Sequence, residues 1–165
     1  MKRRMMVLAI VMIAVSSMIS ASAETGKEKS TCRISFLVDA KHNFSTYEVP
    51  FVAGCAVRAD TAFAPSLSGG FRAGYDLSSF LQLSAFIRCN FISSEKWRVY
   101  VIFGGGAAIG LGVNEGLKAV LGEASLGAEY RIYSQYSVFL EVLVHDADPQ
   151  PGLEAGAAFG VSYAF

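Results

Sequence analysis

The sequence predicts an all-β fold: an antiparallel up-and-down barrel of eight strands that crosses a membrane. Three observations lead there. Large apolar residues alternate with small or polar ones through most of the chain, as in the closing stretch FGVSYAF, while helical periodicity hardly appears. The alternating segments approach the length of about 9–11 residues that a tilted strand needs to span a bilayer. The face opposite the apolar one carries Arg and Glu among Gly, Ala and Ser, where a solvated strand would carry Lys, Thr and Gln freely.

The chain opens with MKRRMMVLAIVMIAVSSMISASA. Lys2, Arg3 and Arg4 form a cationic start, an apolar run follows from Met5 to about Ile13, and Ala21-Ser22-Ala23 supplies small residues. This is the pattern of a secretory signal peptide cleaved after Ala23, and the apolar run is short for a membrane helix. Removing residues 1–23 from the 165 leaves 142, enough for one domain. It also takes the 14 basic residues to 11 against 14 acids, a net of −3, and nothing points to nucleic-acid binding. Residues 24–30 (ETGKEKS) read as a polar linker on the periplasmic side, and the barrel occupies 31–165.

The first strand is expected at about Cys32 to Val38, with Cys32, Ile34, Phe36 and Val38 on the apolar face. The second runs from about Tyr47 to Val57, and the third from about Leu67 to Tyr75. The fourth runs from about Leu81 to Phe91 and the fifth from about Trp97 to Ile109. The sixth spans about Val120 to Ile132 and the seventh about Tyr136 to Val144. The eighth, Leu153 to Phe165, alternates without interruption. The connections DAKHNFST, ADTAFAPS, DLSSF, ISSEK, GLGVNEGLKA, SQ and HDADPQPG are short, which leaves no room for a plug.

Alternation alone permits two opposite proteins. A soluble lipocalin-like barrel points its apolar face inward, and a membrane barrel points it at lipid. The charged residues favour the second. Lys27, Lys29, Lys41, Lys96 and Lys118 fall in the linker or in connections, whereas the strands carry Arg33, Arg58, Arg72, Arg88, Arg98 and Arg131. Their expected counterparts are Glu48, Glu123, Glu129, Glu141 and Glu154 on the same face. Arg pairs with carboxylates as a rigid fork in confined places, so this face reads as a packed, charge-balanced lumen. Tyr47, Tyr75, Phe91, Trp97, Tyr136, Tyr163 and Phe165 fall near strand ends, where interfacial aromatic girdles form.

The stretch GAEYRIYSQYSVFLEV and the final GVSYAF resemble the last hairpin and closing strand of small outer-membrane barrels of the OmpA, OmpX and OmpW kind. The resemblance implies eight strands, both termini in the periplasm, and Tyr163 and Phe165 as part of the signal read by the barrel-assembly machinery. It also implies outer-membrane lipids as the surroundings, a monomer, and a bacterial outer-membrane location. A surface ligand stays unspecified.

Other chemistry is thinly supported. An odd count of three cysteines leaves at least one thiol free or paired between chains. If the first two strands pair so that positions sum to 87, Cys32 stands opposite Cys55. A disulfide is then conceivable in an oxidising periplasm, although directly opposed strand cysteines often have poor bridging geometry. A lipid-modifying acyltransferase or deacylase would need a base and nucleophile at the outer rim. His42, Asp76, Ser78, Ser79, His145 and Asp146 are placed there, in contexts that match neither enzyme's motif. The run GGGAAIG lacks the Lys-Ser/Thr of a phosphate-binding loop and reads as barrel wall. No metal or cofactor is expected. An eight-stranded lumen is about filled by side chains, so the expected role is membrane integrity, limited passage of small solutes or surface interaction, without enzymatic activity.

Overall fold

The computed structural model describes residues 32–44, 51–77, 80–110, 116–148 and 153–165. The leader and linker read at 1–30, together with Tyr47, Glu48, Ser78 and Ser79, lie outside these residues. Eight strands follow one another: β1 (Cys32–Asn43), β2 (Phe51–Ala64), β3 (Leu67–Asp76), β4 (Phe80–Ser93), β5 (Trp97–Gly110), β6 (Gly116–Arg131), β7 (Tyr136–Asp148) and β8 (Glu154–Ala164). Each pairs antiparallel with the next, and β8 pairs with β1 to close the barrel. Every strand is thus paired on both sides, which satisfies the backbone where no water can.

The barrel has two ends. At the near rim β1 begins and β8 finishes, and strands connect at 65–66, 94–96 and 132–135. At the far rim the connections fall at 44–50, 77–79, 111–115 and 149–153. Near-rim turns are tight for local reasons. Ser94 accepts the Trp97 amide on its Oγ at 3.0 Å, and its own amide donates to the Trp97 carbonyl at 2.8 Å. Chain closure is held to the last residue, where the Phe165 amide donates to the Cys32 carbonyl at 2.9 Å.

The partition of side chains is that of a membrane barrel. Phe36 is 59% exposed and Phe103 60%, while Arg88 and Lys41 are each 1% exposed. Leu140, Val142, Phe159 and Val161 continue the apolar outer wall. An exposed apolar surface that encircles a protein far exceeds the few hundred Å² a soluble monomer shows. The lipocalin-like alternative, which needs an apolar interior, is therefore set aside. Trp97 stacks on Tyr130 at 4.8 Å and Tyr136 on Tyr163 at 5.0 Å around the near rim. Tyr163 also meets Phe165 edge-on at 5.0 Å. His42, Phe44 and Phe51 cluster at the far rim.

Three expectations need correction. The register of β1 and β2 sums to 93, so Cys32 faces Thr61 and Cys55 faces Val38. Cys32 and Cys55 are free thiols on the outer wall. Alternation fixes which face a residue takes, and any even shift preserves it. The smaller sum would set Asp39 against Glu48, whereas the observed one sets Arg33 against Asp60 and Asp39 against Gly54. Opposed carboxylates on neighbouring strands repel, which disfavours the smaller sum. Second, β1 runs on to Asn43, which carries Asp39 and Lys41 into the lumen, and β6 takes in Lys118. Third, β2 runs on to Ala64 and β7 to Asp148, so Asp60 and His145 are buried inward-facing residues rather than loop residues.

Candidate functional site: the charged lumen

Every second residue of a strand points inward, so the lumen is a stack of side-chain layers. The middle layer is built on Glu141 of β7. Arg58 of β2 pairs with its Oε1 at 2.7 Å, and the Tyr100 hydroxyl of β5 donates to the same oxygen at 2.7 Å. The Arg58 guanidinium lies over the rings of Phe139, at 5.0 Å, and Phe86, at 5.6 Å. Leu37, Leu143 and Ala158 fill the remaining space. Tyr100 is 0% exposed, the most enclosed side chain of this layer.

Two glycines make room for the rings. Tyr100 stands opposite Gly127 on β6, and Phe139 opposite Gly160 on β8. A Cβ on Gly127 would fall on the Tyr100 ring, within 2.6 Å of its hydroxyl oxygen. A Cβ on Gly160 would collide with both the Phe139 ring and the Phe36 carbonyl oxygen. Each ring is folded flat over the bare backbone of the next strand, a known use of glycine in sheets.

Toward the near rim, Glu129 of β6 gathers three guanidinium groups. Arg33 reaches it at 3.0 Å, Arg88 makes a short contact with it, and Arg98 stands at 3.8 Å. Ser137 donates to its other oxygen at 2.7 Å. Arg88 also lies over the Tyr100 ring at 3.5 Å and donates from Nε to Asn90 at 3.1 Å. Arg131 is half-buried at the lip and forms no ion pair with the described residues. Asp60 of β2 accepts from Ser68 at 2.8 Å.

Toward the far rim, Arg72 bridges Asp39 at 2.6 Å and Glu123 at 3.3 Å. Arg72 also stands directly opposite Arg58, a like-charge pair that these separate carboxylates offset. Ser84 donates to Glu123 at 3.0 Å. Lys41 lies 3.8 Å from Glu154 and 3.5 Å from the Gln82 oxygen. Gln82 in turn donates to Asp76, which also accepts the Phe80 amide. Sequence reasoning missed Asp39, Asp60, Asp76 and Lys41 as members of these layers. The signal was present in their parity, since each continues the inward register of its strand.

The enzyme candidates are dispersed. His42 lies on the outer wall between Phe44, at 4.8 Å, and Phe51, at 4.9 Å. Asp76 is inside the lumen with Gln82, and His145 is buried there on β7. Asp146 points outward. His42 and Asp76 thus lie on opposite faces of the wall. Among the described residues no group of His, Cys, Asp and Glu is arranged to hold a metal.

No protein family matches the chain in sequence. No curated protein matches it either. In structure it is similar to Neisserial surface protein A, with a TM-score of 0.61, 10% identity, and 84% of this chain and 100% of that one covered. It is also similar to the N-terminal β-barrel domain of OprF from Pseudomonas aeruginosa (TM-score 0.57, 12% identity, 83% and 100% covered). A de novo designed transmembrane β-barrel matches with a TM-score of 0.61 at 18% identity, covering 84% and 98%. The fold is that of small eight-stranded outer-membrane β-barrels.

Proposed function

We propose that this chain is an integral outer-membrane barrel of a diderm bacterium. In this reading its lumen is a packed, charged core rather than a conduit. It is exported by the leader at residues 1–23, inserts with its near rim toward the periplasm, and works as a monomer through its wall and rims. The observation that carries the reading is the inverted partition. An apolar wall faces outward, and paired charges inside are shut off by Arg58, Glu141 and Tyr100. Its role follows from that: membrane integrity and contact at the surface, with passage of solutes limited by the closed middle layer. A closed sheet supports a monomer, because no strand edge is left to pair with another chain. The outward ring of Tyr163 and Phe165 beside the closing hydrogen bond to Cys32 supports their reading as the assembly signal.

Fractionation tests this reading. The protein from which residues 1–23 have been removed is expected in the outer-membrane fraction, extractable only with detergent. It should migrate differently on gels when unheated and give near-baseline conductance in planar bilayers. Recovery as a detergent-free soluble monomer would overturn the reading, and so would a stable open-pore current.

A further inference from the structure

The lumen is charge-balanced as a whole but not along its length. At the near mouth Arg33, Arg88 and Arg98 converge on Glu129, and Asp60, opposite Arg33, is the other buried carboxylate. Arg131 and Lys96 stand beside them with no ion pair among the described residues. At the far end the ratio reverses, with Lys41 and Arg72 among Asp39, Asp76, Glu123 and Glu154.

The near mouth also has the shape of a site. Ser94, Glu95, Lys96, Arg98, Glu129 and Arg131 line one shallow cleft. The Arg131 amide donates to the Lys96 carbonyl at 2.8 Å, which locks the turn at 94–96 against the end of β6. Arg98 keeps 27% of its side chain exposed, and its one carboxylate contact, at 3.8 Å, is already taken by Arg33 and Arg88. Arg33, Arg88 and Arg131 all act on Arg98 with charge of its own sign. Glu95, the other acid of the cleft, is exposed. The cleft holds no water-sized space, so a ligand seats on its outer lip, not in the lumen.

We propose that this lip binds a phosphate-type dianion through Lys96, Arg98 and Arg131. Two guanidinium forks match tetrahedral oxyanion edges, and the ammonium adds a third donor. A bound dianion relieves the crowding of like charge that remains beside Glu129 and Asp60. Free phosphate, a soluble phosphomonoester and the phosphomonoester headgroup of phosphatidic acid all present this chemistry.

The test uses the full barrel, refolded in zwitterionic detergent, with inorganic phosphate as the probe in calorimetry or phosphorus NMR. Saturable binding is expected, weakened at least about tenfold in the Arg98→Gln/Arg131→Gln variant and largely retained in Arg98→Lys/Arg131→Lys. Arg33 and Arg88 are untouched, so Glu129 stays paired and heat-modifiable migration should be unchanged. If the Gln variant fails to fold, Lys96→Gln on the exposed turn serves as a second variant, with an expected loss of about threefold. Barrels in phosphatidylcholine nanodiscs containing phosphatidic acid or, as a control for surface charge, phosphatidylglycerol identify the source. Weaker phosphate binding with phosphatidic acid than with phosphatidylglycerol assigns the lip to headgroups, and equal binding assigns it to a free anion. Absence of saturable phosphate binding, or equal affinity in the wild type and the folded Gln variant, would overturn the proposal.

Discussion

Replacing Glu141 by Ala is the sharpest probe of the proposed closure of the lumen. Glu141 is the shared acceptor of Arg58 and Tyr100, both almost wholly buried. Its removal leaves a buried guanidinium uncompensated, which costs about 3–5 kcal/mol when no water can reach it. The Tyr100 hydroxyl loses its partner in the same step. Glu141→Gln keeps an acceptor for both donors and loses only the charge, so a smaller loss of about 1–3 kcal/mol is expected. The decisive arm is the triple change Glu141→Leu, Arg58→Met and Tyr100→Phe, which removes every polar member of the layer together. Exchanging a buried ion pair for apolar groups of similar volume is often neutral, so most of the loss should return. Reversible urea unfolding in lipid vesicles measures all three, followed by the fluorescence of Trp97, the single tryptophan. A loss below about 1 kcal/mol for Glu141→Ala would refute the reasoning, because it would mean that water hydrates Arg58 and the lumen is open.

Three further outcomes follow from the geometry. Truncating the rings that close the middle layer, Tyr100→Ala with Phe139→Ala, should cost about 3–5 kcal/mol per ring and raise single-channel conductance above the wild-type baseline. Cys32 at the near rim should react with a water-soluble maleimide, while Cys55 on the outer wall beside Val38 should react only with an apolar reagent once the barrel is in lipid; reduction should leave gel mobility unchanged, and a mobility shift abolished by Cys55→Ala would contradict the observed register. Deleting Phe165 should lower the amount of folded barrel in the outer membrane far more than the amount secreted, because it removes the outward ring against Tyr163 and the closing hydrogen bond to Cys32; equal outer-membrane levels would refute that role.

The facing of every strand was legible in the sequence because period two is a local property. Phe86 and Tyr100 share the parity of the inward Arg88 and Arg98, and both are buried. Register was not legible. Alternation repeats every two residues, so the pairing of β1 with β2 could slide by six positions without moving any side chain to the other face. Strand ends were read short where the outer face stops being strongly apolar. Ala40 and His42 carry little hydrophobic signal, so Asp39 and Lys41 were taken for loop residues although they keep the inward parity of Arg33 and Ser35. The same holds for Asp60 beyond Val57 and His145 beyond Val144. The partners across the lumen were beyond reach for a further reason. Arg33 meets Glu129, 96 positions away, only because the sheet closes and its strands tilt, and no local pattern encodes that.

The rings folded over Gly127 and Gly160 have an evolutionary consequence. Positions 100 and 127 share one parcel of volume, and so do 139 and 160, because each aromatic occupies the space that a side chain on its partner would fill. Selection therefore acts on the sum within each pair. In related chains a larger residue at 127 should travel with a smaller one at 100, and in that pair the bulky member should be able to change strands without any loss of closure, whereas the Phe36 carbonyl oxygen also holds position 160 to glycine. An alignment would register this as covariation between columns 27 residues apart.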